Sequence, residues 1–213
     1  VSMVKIAVPS TLQQSIVHIG ILLVQSVINS FGSTAIAGYS AGMRIESLSI
    51  VPMLAMGNAM STFTAQNMGA GKIDRVKEGY RMCYVIVLTA GAVLCIMYQL
   101  AGGAFVSLFL DSGSSEAYSV GLSYVKFLSF FYSFIGLKAS TDGLLRGAGD
   151  VTAFTVANLV NLAIRVSVTN LFAPIYGIQV AWMAVPLGWA ANYVISFGWY
   201  LTGKWKKVRV IKK

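Results

Sequence analysis

Five ionisable side chains stand within otherwise apolar stretches of this sequence: His18, Arg44, Glu46, Lys126 and Arg165. Amides and hydroxyls accompany them at helical spacing. Thr11, Gln14, His18, Gln25 and Asn29 fall within about 60° of one another on a helix. Ser40, Arg44, Ser47, Asn58 and Thr62 make a second stripe, and Asn158, Asn161 and Arg165 a third, spaced i, i+3, i+7. Polar groups in hydrocarbon are costly, so such residues are candidates for a substrate or ion pathway. The candidate set is Gln14, His18, Gln25, Arg44, Glu46, Lys126, Asn158, Asn161 and Arg165. Glu46 is its one carboxylate. It could exchange a proton or hold a cation, or it could sit in a fixed ion pair with Lys126 or Arg165. Its azimuth differs from that of Arg44 by roughly 100–120°, so these two are not expected to pair. His18 could carry a proton, or simply hydrogen-bond along its own stripe. The stripes could line one water-accessible cavity, or they could be hydrogen-bond glue between helices.

The elements that must position these groups follow from composition. Of 213 residues, 56% are hydrophobic and 11% charged, with a formal net charge of +9. A soluble domain carries roughly 25% charged residues. A water-soluble enzyme and a disordered chain are both excluded, and an all-α integral membrane protein remains. The apolar runs predict a bundle of six transmembrane helices at about 4–30, 34–67, 80–110, 117–145, 151–172 and 179–202. Residues 1–203 are thus expected to form the membrane bundle and 204–213 a basic tail. On this frame the five ionisable groups lie about 14–17 Å from the outer ends, near one level.

The breaks between helices are expected at Phe31–Thr34, Asp111–Glu116 and Pro174–Gly177 on one side. On the other side, Gly69-Ala-Gly71 and Gly147-Ala-Gly149 fit helix C-caps, followed by Asp74 and Asp150 as N-caps. Ser33 or Thr34 could cap the second helix. Pro52 and Pro186 fall inside helices and should kink them. The first set of turns contains no Lys or Arg. The second collects Lys5, Lys72, Arg75, Lys77, Arg81, Arg146, Lys204, Lys206, Lys207, Arg209, Lys212 and Lys213. The positive-inside rule places both termini in the cytoplasm of a plasma membrane protein, in bacteria the inner membrane. Trp199, Tyr200 and Trp205 fit an interfacial aromatic belt. Anionic lipid accounts for the basic tail without any nucleic acid partner.

Lys138, Asp142 and Arg146 form an i, i+4 ladder expected to satisfy itself along one helix. Cys83 and Cys95 lie in the same helix, too far apart to bridge. No Ser/His/Asp set, phosphate loop or metal cluster is visible, so neither an enzyme nor a cofactor is expected.

The motifs Val8-Pro9-Ser-Thr-Leu-Gln-Gln14, Ala35-Ile-Ala-Gly-Tyr39 and Arg44-Ile-Glu-Ser47 with Pro52 occur in order. They are followed by Gln66-Asn-Met-Gly-Ala-Gly71, Asp74-Arg-Val76 and Leu145-Arg-Gly-Ala-Gly-Asp150 with Asn158 and Asn161. With these the chain resembles the carboxy-terminal half of a MATE (multidrug and toxic compound extrusion) antiporter. The resemblance implies one six-helix lobe of a twelve-helix transporter, partnered by an amino-terminal six-helix lobe that this chain lacks. It implies export of small amphipathic or cationic compounds, driven by Na⁺ or H⁺. On this resemblance the chain reads as a fragment or partial gene. Some members carry an acid about two turns after the proline of their seventh helix, and another about three turns before the Leu-Arg-Gly motif. Here those neighbourhoods read Ser15-Ile-Val-His18 and Phe134-Ile-Gly-Leu137, so that cation site is not carried over. A flippase of lipid-linked oligosaccharides, from the same superfamily, and a non-transporting helix bundle are the alternatives.

Overall fold

The computed structural model describes the backbone of residues 2–111 and 115–207. Within these it describes the side chains from Ser15 onward, apart from Val17, Ser115 and Lys207. The described residues form seven α-helices and one short 3₁₀ turn: α1 (Ser2–Asn29), α2 (Ser33–Gly69), α3 (Ile73–Ser107), α4 (Ser115–Ser129), α5 (Tyr132–Gly147), α6 (Val151–Tyr176), α7 (Gln179–Leu201) and the turn Lys204–Lys207. Among these, α2, α3, α6 and α7 are long and apolar enough to cross a membrane, and α4 with α5 makes one further broken span. α1 is 28 residues long, and its fully described part, His18–Asn29, is a shorter apolar helix, so four spans, or five with the broken pair, are long and apolar enough to cross a membrane among the described residues.

The expected fourth helix is therefore two. α4 and α5 meet at Phe130–Phe131 with a 53° bend. A break at membrane depth frees carbonyls that lipid cannot satisfy. Gln99 of α3 meets this need: its Nε2 donates to the Lys126 carbonyl at 2.8 Å and to the Ser129 hydroxyl oxygen at 2.9 Å. Ser129 Oγ itself donates to the Lys126 carbonyl at 2.7 Å.

Other boundaries shift as well. α3 begins at Ile73 rather than near 80, because Lys72 is its N-cap. Asp74 instead sits in the first turn, paired with Lys77 at 2.7 Å. α2 starts after Gly32, which turns the chain at φ 87° with no side-chain cap from Ser33 or Thr34. α6 runs through Pro174 to Tyr176 before Gly177 ends it. The two Gly-Ala-Gly segments do end helices. Lys72 N–H donates to the Asn67 carbonyl and Gly71 N–H to that of Met68, and the same pairings recur for Asp150 with Leu145 and Gly149 with Arg146. This is the Schellman pattern, with Gly71 and Gly149 at positive φ. Asp150 then caps α6, accepting from the Ala153 N–H at 3.4 Å.

Small residues set the packing. α2 and α5 cross in near-backbone contact: a Cβ on Gly57 would stand 2.6 Å from the Ala139 carbonyl oxygen. One on Gly143 would meet the Gly57 carbonyl, and one on Gly147 the Ser61 carbonyl. Gly143-x-x-x-Gly147 is thus a close-approach motif of the kind membrane helices use where no hydrophobic force draws them together.

The expected belt and tail also change. Trp205 is fully buried rather than lipid-facing. It stacks on Tyr200 at 5.6 Å and donates to the Tyr200 carbonyl at 3.0 Å. Trp199 donates to Asp150 at 2.6 Å. Lys204 and Lys206 lie over the Trp199 and Trp205 rings. The residues after the last span therefore fold back onto the bundle as far as Lys207. Residues 208–213, with Arg209, Lys212 and Lys213, lie outside the described residues, as does the side chain of Lys5.

Candidate functional site

α2 presents glycine to α4, so α4 lies close along it. A Cβ on Gly38 would meet the Ala117 carbonyl, and one on Gly42 would stand 2.6 Å from the Tyr124 ring. Seated on Gly42, Tyr124 reaches one turn further along α2 and donates its hydroxyl hydrogen to Glu46 Oε2. Both are buried. The Tyr124 ring meets Tyr39 edge-on at 5.2 Å and Trp182 of α7 at 5.6 Å. Glu46 is thus enclosed by an aromatic wall between α2, α4 and α7. No Lys126 or Arg165 ion pair with it forms among the described residues, so the phenol takes the place of the expected cation partner.

Arg165, Gln25 and Tyr39 line one small pocket between α1, α6 and α2, with Gly20 and Leu162. α7 supports this pocket from behind. A Cβ on Gly188 would stand 2.5 Å from Asn161 Oδ1 and 3.0 Å from Arg165 Cγ. Asn161 is buried there.

The remaining candidates disperse. Lys126 runs along the α3 side of α4, its Cγ within 3.7 Å of where a Cβ on Gly102 would be. Arg44 is exposed, its guanidinium 5.9 Å from the Phe109 ring centroid. His18 is exposed on α1. Gln14 lies in α1, and its side chain is outside the described residues. The five ionisable groups do not gather in one cavity. A shared depth fixes only the height of a residue, and Arg44 and Glu46 leave α2 on different sides. α4 likewise turns Tyr124 toward α2 and Lys126 toward α3.

A second polar centre unites three helices. Lys138 Nζ donates to Asp142 Oδ2 at 3.0 Å and to Asn158 Oδ1 at 3.1 Å. Asn158 Nδ2 donates to Asp142 Oδ2 at 3.2 Å. From α7, Ser196 donates to Asp142 Oδ1 at 2.7 Å. The expected ladder is therefore formed only at its Lys138–Asp142 step, and both of these residues also reach partners on other helices. Arg146 turns away to Asn58 Oδ1 at 2.7 Å and Ser61 Oγ at 3.4 Å. Sequence reasoning kept Lys138 and Asp142 out of the candidate set. Their signal was the pairing of buried small polar residues, Asn192 and Ser196, one turn apart on α7. Next to this centre, the hydroxyls of Tyr80 and Tyr84 bond to each other and to Thr141, and Tyr84 donates to Tyr193 at 3.2 Å.

One face of α2 is open. Arg44, Ser47, Asn58 and Thr62 are exposed along it, with exposed Leu48, Val51 and Leu54 in the turns between. A helix long and apolar enough to cross a membrane carries here a polar–apolar–polar surface that, among the described residues, is touched only at its edges, by Arg146 on Asn58 and by Phe109 beside Arg44.

A family model, MatE, matches residues 9–171. The chain is 28% identical over 207 residues to a probable multidrug resistance protein, YpnP, of Bacillus subtilis, covering 97% of this chain and 46% of that protein. It is 21% identical over 218 residues to a probable multidrug resistance protein, NorM, of Thermotoga maritima, covering 98% and 45%. The fold matches an outward-facing conformation of a multidrug resistance MATE family transporter of the MOP superfamily, with a TM-score of 0.84 at 18% identity over 94% of this chain and 44% of that one. The chain spans about half the length of the curated relatives it matches. Matched along most of its length by the family model and along nearly all of it by these relatives, the chain belongs to the MatE family.

Proposed function

We propose that this chain is the carboxy-terminal lobe of a secondary-active exporter that exchanges small amphipathic or cationic compounds for Na⁺ or H⁺ by alternating access. The observation that carries this reading is the open face of α2. Arg44, Asn58 and Thr62 are exposed on a helix of membrane-spanning length, and hydrocarbon solvates such groups poorly. A water-filled cleft against an amino-terminal six-helix lobe suits them, and Leu48, Val51 and Leu54 between them suit the apolar part of an amphipathic substrate. Rocking of the two lobes about such a cleft would expose it to each side in turn. Glu46, buried behind this face with Tyr124 on its carboxylate, is the group assigned to ion exchange.

In this reading the basic end of the bundle faces the cytoplasm. Lys72, Arg75, Lys77, Arg81, Arg146, Lys204 and Lys206 lie at the ends of helices that meet there, opposite three turns without Lys or Arg. Both termini are then cytoplasmic, and anionic lipid contacts the basic rim.

The test is water accessibility. In a background with Cys83→Ser and Cys95→Ser, single cysteines at positions 44, 58 and 62 should react with a membrane-impermeant thiol reagent. One at Leu100, which is 84% exposed on α3, should not. Protection at 44, 58 and 62 equal to that at 100 would reduce the stripe to helix glue and leave the non-transporting bundle.

A second reading is favoured by charge. Arg44, Lys126 and Arg165 form no ion pair among the described residues and outnumber Glu46. A flippase-like transporter of anionic amphipathic lipids would use that excess, and competition by an anionic rather than a cationic amphiphile for transport would distinguish it.

A further inference from the structure

Asp142 is 4% exposed and stands at the junction of α5, α6 and α7, apart from both Glu46 and the open face of α2. The groups around it are chemically uniform. Asp142 supplies two carboxylate oxygens, Asn158 an amide oxygen and Ser196 a hydroxyl; Asn192 Oδ1 stands 3.5 Å from that hydroxyl. One negative charge is spread over hard oxygen donors, with no nitrogen or sulfur acceptor among them, which is the donor set of a hard cation rather than a transition metal. One cation is already there. Lys138 reaches in from one turn earlier on α5 and places its ammonium 3.0 and 3.1 Å from Asp142 Oδ2 and Asn158 Oδ1. Arg146, the other cation on this helix face, is engaged by Asn58 and Ser61 and does not compete.

Asn192 is wholly buried on α7, and its engaged end is the oxygen, 3.5 Å from the Ser196 hydroxyl. The end of the amide turned toward Ser196 is thus an acceptor, as the other members of the centre are.

We infer that Asp142, Asn158, Ser196 and Asn192 form a monovalent-cation site whose resident ion is the ammonium of Lys138. The lobe carries this counter-ion on its own chain. The site is electrically neutral with no free ion, and it ties α5 to α6 and α7 wherever the ammonium is docked. A free monovalent cation enters only when Lys138 is withdrawn or shortened. The inference does not depend on the export reading, because the occupant can be tested without transport.

Shortening the tether tests it. Lys138→Ala opens the place of the ammonium and leaves Asp142 unpaired. Thermal unfolding of the detergent-solubilised protein is followed in sodium, n-propylammonium or N-methylglucamine chloride at equal ionic strength. Sodium or n-propylammonium should raise the midpoint of Lys138→Ala by about 5–10 °C over N-methylglucamine at concentrations near 100 times the Kd. The protein with Lys138 intact should respond to neither. The double variant Lys138→Ala with Asp142→Asn, which removes both charges, should fold and also respond to neither. A Lys138→Ala protein that folds only with sodium or n-propylammonium present supports the site equally. Identical midpoints in all three salts, failure to fold in any of them, or the same response in the double variant or the intact protein overturns it.

Discussion

Tyr124 holds Glu46 from across a helix pair, its hydroxyl on the carboxylate and its ring resting on Gly42 one turn before it. The glycine, the phenol and the acid form a unit. Without Gly42 the ring could not approach α2, and without the ring the carboxylate would have no donor among the described side chains.

Tyr124→Phe keeps the ring and removes the donor. A hydrogen bond to a charged group contributes about 1.5–3 kcal/mol, and thermal unfolding in detergent should show a loss of that order. Gly42→Ala should cost a comparable amount by displacing the ring instead, about 1–3 kcal/mol for overpacking. The double variant should lose less than the sum of the two.

Glu46→Gln keeps the size and an acceptor oxygen but removes the exchangeable charge. On the proposed function, when this lobe works with an amino-terminal partner lobe, efflux driven by a Na⁺ or H⁺ gradient should fall to the uncoupled background, while substrate binding measured without a gradient should persist. Unchanged gradient-driven efflux would remove Glu46 from coupling.

Gly143→Ala sets a methyl group against the Gly57 carbonyl, and the cost should be about 1–3 kcal/mol. Gly69→Ala is the contrasting case. A Cβ there meets nothing within 4 Å, so stability should hold or rise by up to about 1 kcal/mol. Unfolding midpoints of the two variants compare them directly.

Gln99→Leu removes the amide that covers the Lys126 carbonyl beside the break between α4 and α5. Loss of that donor should cost about 1–3 kcal/mol. Hydrogen exchange should quicken first at residues 126–132, ahead of the rest of α4 and α5.

Much of this architecture was legible in the sequence, for a physical reason. A segment that must cross hydrocarbon has to be long, apolar and helical, so the passes can be counted, and Gly-Ala-Gly with a following Asp marks two of the turns. The break at Phe130–Phe131 was not legible, since neither residue disfavours a helix. The group that compensates for it, Gln99, lies on another helix. The ladder Lys138–Asp142–Arg146 formed only at its first step, for a related reason. The i, i+4 rule considers one helix alone, whereas Asn58, Asn158 and Ser196 each offered a better partner from elsewhere. The stripes gave each residue a height and an azimuth on its own helix but no information on which helix it would face. Glu46 was therefore identified as the one deep carboxylate, open either to ion exchange or to a fixed ion pair, and the phenol that meets it was not foreseen. Gly143 and Gly147 were visible, yet Gly147 was read only for its turn.

The break between α4 and α5 lies beside the proline of α2. α2 meets α4 through Gly38 and Gly42 and meets α5 through Gly57 and Ser61, with Pro52 between the two contacts. α4 and α5 part at Phe130–Phe131, between the same two contacts. A proline-weakened rod and a broken rod are thus clamped together above and below a common elbow. The helix with the weakened hydrogen-bond ladder therefore runs alongside the break, and the close contacts on each side hold the Glu46 half and the Asp142 half of the bundle to the same two elements.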